Sequence, residues 1–199
     1  MGGRAADWFL DLVYGADDRA RARHFRAMDD AAAGAPAGAD GVRFLPFLAG
    51  QIAPERRLGA RAAFVGLAAN HDRATLHRAV LEGAAFAIRD IFEHVRGWCG
   101  APALVRVTGS GAKSALWCDV LAQCVGEPLE VSDEAVEGRG AAIFAALALG
   151  RFGDYDAAAA AMVPIRARYE PSPERRERYD AYYRAWRDAL DANRVLDGK

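Results

Sequence analysis

The sequence predicts an α/β domain organised around one strand–turn–helix unit, and three observations carry that prediction. Residues 103–131 read ALVRVTGSGAKSALWCDVLAQCVGEPLEV. An apolar, β-branched run with Val105 and Val107 passes through a Gly-Ser-Gly turn into an amphipathic segment, and a second strand, Pro128 to Val131, follows. Gly109 and Gly111 fall at the carboxyl end of the first strand, where open α/β sheets bind ligands and where glycine lets backbone turn sharply or approach a ligand. This strand is expected to be central in its sheet, with Ser114 in the first turn of the next helix. Strand and helix patterns also alternate along the chain, with no period of the kind that marks repeat proteins.

The balance of apolar and charged residues over 199 positions is that of an ordinary soluble domain able to bury a real core. A formal charge of -1 gives no electrostatic reason to expect nucleic acid or an anionic membrane as partner. The three cysteines, Cys99, Cys118 and Cys124, lack CxxC spacing, so neither a disulfide framework nor a zinc site is indicated, and a reducing cytoplasm fits best. No stretch has the length and apolarity of a membrane span, and the N-terminus lacks a secretory core or a myristoylation signal.

Taken in order, the apolar cluster Trp8, Phe9, Leu10, Leu12 and Val13 is too dense for a free tail and should dock. Asp17 is placed to cap a peripheral helix running to about Ala33, with Phe25 and Met28 as a thin apolar stripe. Residues 31–41, rich in small residues, Gly and Pro, read as a loop. Val42 to Leu48, interrupted by Pro46, suits a strand that ends or sits at an edge, and residues 62–67 read as another strand. Asn70-His71-Asp72 then offers a turn and an N-cap for the longest helix. Leu76, Val80, Gly83, Ala87, Ile91, Val95 and Trp98 define one continuous face of that helix, and Leu81, Ala85, Ile88 and Phe92 a second. A helix apolar on two sides lies between layers, and Gly83 would let another backbone come close. Glu137 to Leu149 reads as a small apolar helix stopped by Gly150. From Tyr155 onward the chain reads as entirely helical, with Pro171 and Pro173 before a last helix whose Tyr179, Tyr182, Tyr183 and Trp186 read as packing.

The chemistry written into local spacing is thin. GSGAKS is not a P-loop, because Val107 and Ala112 stand where its glycines belong, and the dinucleotide fingerprint fails at Ser114. A dinucleotide site would also call on Glu130 or Asp133 for a ribose. His24, His71, His77 and His94 form no metal-binding pair. Carboxylates are many, but no catalytic pair or triad is specified by sequence. The residues alone therefore leave two readings of the turn open, a nucleotide site and a structural β-to-α connection.

Several segments, in order, resemble the carboxyl-terminal half of the FGGY carbohydrate kinases, most closely the xylulokinase-like members. FLPFLAGQIAPERRLGARAAFVGL is similar to the family's FLPYLsGER.P...arG.FfGL segment, and HDRATLHRAVLEGAAFAIRD to the helix after it. VRVTGSGAKSALWCDVLAQCVGEPLEV resembles the adenosine-binding turn and helix, and EGRGAAIFAALALG the glycine-alanine helix that follows. Thr75 departs from the acidic, amide or His residue usual at its position, although Thr still caps, and Gln51-Ile52 replaces the common Glu-Arg.

The resemblance implies an actin-like, ribonuclease-H-like ATPase domain, the C-terminal half of a two-domain sugar kinase that binds ATP with Mg²⁺ between its halves. Residues 1–199 would be that nucleotide-binding domain, with an N-terminal segment to about 41 and a helical C-terminal segment from about 155. By position, Gly109, Ser110, Gly111 and Ala112 would approach the adenosine through backbone, and Ser114 would lie near the adenine. GGRAADWF resembles the segment in which a Gly contacts nucleotide phosphates and a polar residue precedes the Trp, which places those roles on Gly3 and Asp7. The reaction implied is transfer of the γ-phosphoryl group to a sugar hydroxyl, most closely that of xylulose. The general-base Asp and sugar pocket are expected on an N-terminal domain outside this sequence, so this chain alone is expected to be inactive, with no catalytic or metal-ligating residue of its own. Its partners would be ATP or ADP and, through that other domain, the sugar. Self-association through apolar surface around Trp8 and Phe9 is a further expectation. The competing class is a non-catalytic nucleotide-binding or actin-like assembly domain.

Overall fold

The computed structural model describes residues 2–17, 19–132 and 136–196. Its elements in order are α1 (Gly2–Tyr14), α2 (Arg21–Gly34), β1 (Arg43–Leu45), β2 (Ala63–Val65), α3 (Arg73–Cys99), β3 (Val105–Val107), α4 (Ala115–Val125), β4 (Leu129–Ser132), α5 (Val136–Ala148), α6 (Tyr155–Met162), β5 (Ile165–Tyr169) and α7 (Pro173–Asn193).

The 27-residue α3 is the axis on which α1, α2, β1, α4 and α7 pack. It starts at Asp72, whose Oδ1 accepts hydrogen bonds from both the backbone N–H and the hydroxyl of Thr75 at 2.9 Å. The cap is thus Asp72, while Thr75 serves it as a double donor, and those bonds hold the Asp72 carboxyl below the usual carboxylate range. Burial runs from Thr75 to Asp90. Beyond it Val95 is 47% and Trp98 83% exposed, so the continuous apolar face expected to reach Trp98 is buried only along its first part.

On one side of α3 lie α1 and α2, with the antiparallel pair β1–β2 beside them. Phe9 is 2% exposed and Trp8 stacks on Phe44 at 5.8 Å, so the N-terminal apolar cluster docks as expected. Of the same cluster Trp8 is half-buried, and Leu12 stays 65% exposed. Asp17 accepts from the N–H groups of Arg19 and Ala20 and closes the turn before α2, whereas the cap position belongs to Ala20, without a side-chain bond. Nor is α2 peripheral, since Met28 and Ala32 are buried in it.

On the other side the sheet order is β3-β4-β5, with β3 parallel and β5 antiparallel to β4. Among the described strands β4 is therefore central, and β3, expected to be central, is an edge. The entirely helical reading beyond Tyr155 is also corrected, because β5 interrupts it. Its registration is tertiary: Arg168 on β5 and Arg106 on β3 reach Glu130 of β4 from opposite sides at 2.6 and 2.8 Å, and Tyr169 lies opposite Leu129.

At mid-helix Gly83 of α3 meets the backbone of β1, because a Cβ built on it would fall inside contact distance of the Phe44 carbonyl oxygen. The Trp186 indole N–H on α7 donates to that same oxygen at 2.8 Å, which fixes it. Gly83→Ala should gain about 1 kcal/mol of helix propensity. Overpacking against immobile backbone costs typically 1–3 kcal/mol or more, so the net effect should be destabilising. Urea denaturation of Gly83→Ala against the parent measures the sign, and a stabilised variant would contradict the close approach.

Candidate functional site

The turn after β3 is built by three residues for three reasons. Gly109 has φ 84° and ψ -167°, a conformation that L side chains rarely adopt, although a Cβ there would meet nothing within 4 Å. Gly111 has the opposite constraint: a Cβ on it would come within 2.9 Å of the Trp117 ring. Its missing side chain makes room for Trp117 itself. Ser110–Lys113 then form one 3₁₀ turn, and Ser114 is the N-cap of α4 rather than a residue of its first turn. Its Oγ accepts from Trp117 N–H at 2.9 Å and donates to the Asp29 carboxylate, whose oxygens lie at 2.9 and 2.8 Å. Below the turn Cys118 makes weak Sγ contacts to the Gly111 and Ala112 carbonyls, and burial pushes its thiol up to about 11.

Above this turn opens a cleft of about 740 Å³. Its floor is Ser110, Gly111, Ala112, Lys113 and Ser114; one wall is Asp7 of α1 with Arg21, Phe25 and Arg26 of α2; the other is Val131 and Ser132 of β4 with Arg166 and Tyr169 of β5. The volume is that of a small-molecule site. Four cationic side chains, Arg21, Arg26, Lys113 and Arg166, line it, against one carboxylate among the described lining residues, Asp7. Arg21 lies 2.7 Å from Asp11 and 3.9 Å from Asp7, which ties α2 to α1. The result is a space with aromatic and apolar walls and a positive rim, suited to a flat ring system carrying anionic groups.

The structure brings Ser110, Gly111, Ala112, Ser114 and Asp7 together on one cleft. Gly109 shapes the turn but is not among the lining residues, and Gly3 lies in the first turn of α1. Ser114 is 2% exposed with its proton given to Asp29, so its hydroxyl is not presented to a ligand in the way its position suggests. Sequence reasoning missed Arg21, Arg26, Arg166, Phe25 and Tyr169, which converge from segments that no local spacing connects. Lys113, which fails the P-loop spacing, still lines the cleft. Glu130 is committed to Arg106 and Arg168, which removes it as a ribose acceptor, and Asp133 lies outside the described residues. No cluster of three or more His, Cys, Asp or Glu side chains that could hold a metal occurs among the described residues.

The two glycines make separate demands that can be measured without ligand. Gly111→Ala should lower the melting temperature by forcing the Trp117 ring to shift, and Trp117→Leu should relieve most of that loss in the double variant. Gly109→Ala should cost roughly 1–3 kcal/mol through backbone conformation, with or without Trp117. Thermal or urea unfolding of the three single and two double variants checks this, and additive losses for Gly111→Ala and Trp117→Leu would refute the packing account.

Residues 1–149 match the sequence profile of the FGGY family of carbohydrate kinases, C-terminal domain. The chain is 30% identical over 160 residues to a xylulose kinase of Staphylococcus epidermidis, covering 80% of this chain and 32% of that protein. It is 36% identical over 154 residues to glycerol kinase 1 of Thermotoga maritima, covering 75% of this chain and 30% of that one. Among solved structures, the xylulose kinase from Rhodospirillum rubrum superposes with a TM-score of 0.85 at 28% identity, over 99% of this chain and 39% of that chain. The superposition takes in α6, β5 and α7, which the family profile does not reach. The chain spans about a third of the length of the curated relatives it matches. Its profile match, its relatives and its actin-like, ribonuclease-H-like fold place it in one family: the chain belongs to the FGGY carbohydrate kinases and corresponds to their C-terminal domain.

Proposed function

We propose that residues 1–199 form the nucleotide-binding domain of an ATP-dependent kinase that phosphorylates a sugar or polyol in the cytoplasm, most closely a pentulose such as xylulose. The observation that carries this reading is the cleft, where the turn at 110–114 faces a wall bearing Arg21 and Arg26, with Lys113 and Arg166 at the rim. In this reading the backbone of Gly109, Ser110, Gly111 and Ala112 lies against the adenosine, beside Phe25 and Tyr169. Ser114 acts from beneath the turn, and Asp7, with Gly3 nearby on α1, borders the phosphate end. Xylulose as acceptor is supported by the Staphylococcus epidermidis and Rhodospirillum rubrum relatives, and a polyol by the Thermotoga maritima glycerol kinase.

ATP fits the donor set, because arginine and lysine supply charge-assisted hydrogen bonds to phosphate oxygens and aromatic walls accept a base. Mg²⁺ is different. Asp7 is the one carboxylate among the described lining residues and lies near Arg21, so these side chains build no magnesium cage. The ion, where present, would arrive on the phosphates. The chain's own contribution is to bind and orient the nucleotide and to exclude water from one side of the cleft. The acceptor sugar and the base that deprotonates it belong to the other domain in this reading.

Calorimetric titration with ADP should give saturable binding by the 199-residue chain that weakens as salt rises. Arg26→Ala and Arg166→Ala should each lower affinity about tenfold, equivalent to ~1.4 kcal/mol. Unchanged ADP affinity in both variants would remove the cationic rim from the site. The chain alone should not phosphorylate xylulose with ATP, and clear turnover in a coupled ADP-release assay would overturn the half-site reading. No helix among the described residues is long and apolar enough to cross a membrane.

A further inference from the structure

Behind the cleft floor three helices meet at one carboxylate. Asp29 of α2 accepts the Ser114 hydroxyl proton across a sequence separation of 85 residues, and its Oδ1 lies 3.8 Å from Nε2 of His77 on α3. The His77 side chain is fully buried, and neither ring nitrogen has a hydrogen-bond partner. Its ring stacks on Phe9 of α1 at 5.8 Å and meets Phe25 of α2 edge-on at 6.3 Å. Asp29 is itself only 14% exposed, shielded on its α3 side by that imidazole.

Position along α2 gives the pair its consequence. Phe25 and Arg26 precede Asp29 by four and three residues, so all three share one helix face. Phe25 and Arg26 form a wall of the cleft, and Asp29, one turn further on, grips Ser114 under its floor. A carboxylate–hydroxyl bond is charge-assisted and short, and stronger than its neutral counterpart. We propose that Asp29 is a positioning residue for the nucleotide cleft: by clamping Ser114 it sets the spacing between the Phe25–Arg26 wall and the turn at 110–113, with buried His77 as the backing that holds Asp29 in place.

The clamp also assigns Ser114 a role distinct from ligand contact. With its O–H donated to the Asp29 carboxylate and its oxygen accepting from Trp117 N–H, the hydroxyl orients both the start of α4 and the wall opposite. The functional half of this inference rests on the nucleotide reading of the cleft, whereas the geometric half does not.

The test measures two quantities on the 199-residue chain, ADP affinity by calorimetry and amide hydrogen exchange across residues 110–117, in Asp29→Asn, Asp29→Leu, Ser114→Ala and the double variant Asp29→Leu/Ser114→Ala. Asn keeps an acceptor of the same shape, and Leu keeps only the volume. Asp29→Leu should lose about tenfold in ADP affinity and exchange faster across 110–113 while α3 and α7 keep their protection. Asp29→Asn should stay within about threefold of the parent, and the double variant should bind no worse than Ser114→Ala, because the two residues act as one unit. A folded Asp29→Leu with parental affinity, or losses that add in the double variant, would overturn the proposal. Loss of melting temperature alone, with affinity kept, would reduce Asp29 to a structural residue and likewise overturn it. If the parent itself does not bind ADP, the nucleotide reading fails, and exchange decides the geometric clamp: faster turn exchange in Asp29→Leu with rescue in Asp29→Asn supports it, and unchanged exchange refutes it.

Discussion

Everything in this domain is referred to a carboxylate buried at the middle of α3. Glu82 is 2% exposed and accepts from Arg78 Nε at 2.8 Å, from the Tyr179 hydroxyl at 3.1 Å and from the backbone N–H of Gly38 at 3.0 Å. An isolated carboxylate could not be buried there, since desolvation costs several kcal/mol, and the charge is tolerated because the arginine and two further donors meet it together. Tyr179 in turn accepts from Arg78 Nη2 at 2.7 Å, and burial beside Glu82 pushes its phenol far above the usual range, so it remains a neutral donor. Such a network contributes less to net stability than to uniqueness. It ties the middle of α3, the start of α7 and the turn before β1 to one arrangement, because displacing any member strands a charge.

From that fixed axis the cleft follows by geometry. With Phe44 carbonyl held between Gly83 and Trp186, β1 cannot drift along α3, and Trp8 stacked on Phe44 carries α1 with it. Arg21, shared by Asp7 and Asp11, carries α2 with α1. On the opposite side, Arg175 pairs with Asp119, and Gln123 donates to the Glu170 carbonyl while accepting from Ser172 N–H, so α4 is locked to the start of α7. The turn at 110–114 is thus held by one set of contacts and the Arg21–Arg26 wall by another. A cleft whose two surfaces are each anchored to α3 or α7, and joined to one another through Ser114 and Asp29, can stay open against hydrophobic collapse.

Local pattern revealed the elements whose reasons are local. The long helix from residue 73 announces itself through Asp72 and a run of apolar spacings, and β3–turn–α4 through β-branched residues, glycines and a capping serine. The strand β5 was illegible for a physical reason: in IRARY the single β-branched residue is Ile165, and the alanine-rich stretch before it continues a helical composition. What makes it a strand is the edge of β4 and the paired guanidiniums on Glu130, neither of which exists in a local window. The same holds for the cationic rim, whose members come from residues 21, 26, 113 and 166, and for Asp29, an unremarked acid in a polar helix until Ser114 is seen beneath it.

The turn itself shows why residue type could not separate a nucleotide site from a structural loop. Gly109 is required by its backbone conformation, Gly111 by the Trp117 ring, and Ser114 by the cap of α4 and the proton given to Asp29. Gly109, Gly111 and Ser114 each have a complete structural explanation, so none of the three identities bears on binding. The information lies instead in what the structural demands leave over. Arg26 and Arg166 line one cleft from elements on opposite sides of it, beside Phe25 and Tyr169. Concentrating positive charge raises self-repulsion, which a polyanion in the cleft would relieve. In the proposed nucleotide reading the walls supply the groups that meet phosphate, and the glycine turn is the floor between them.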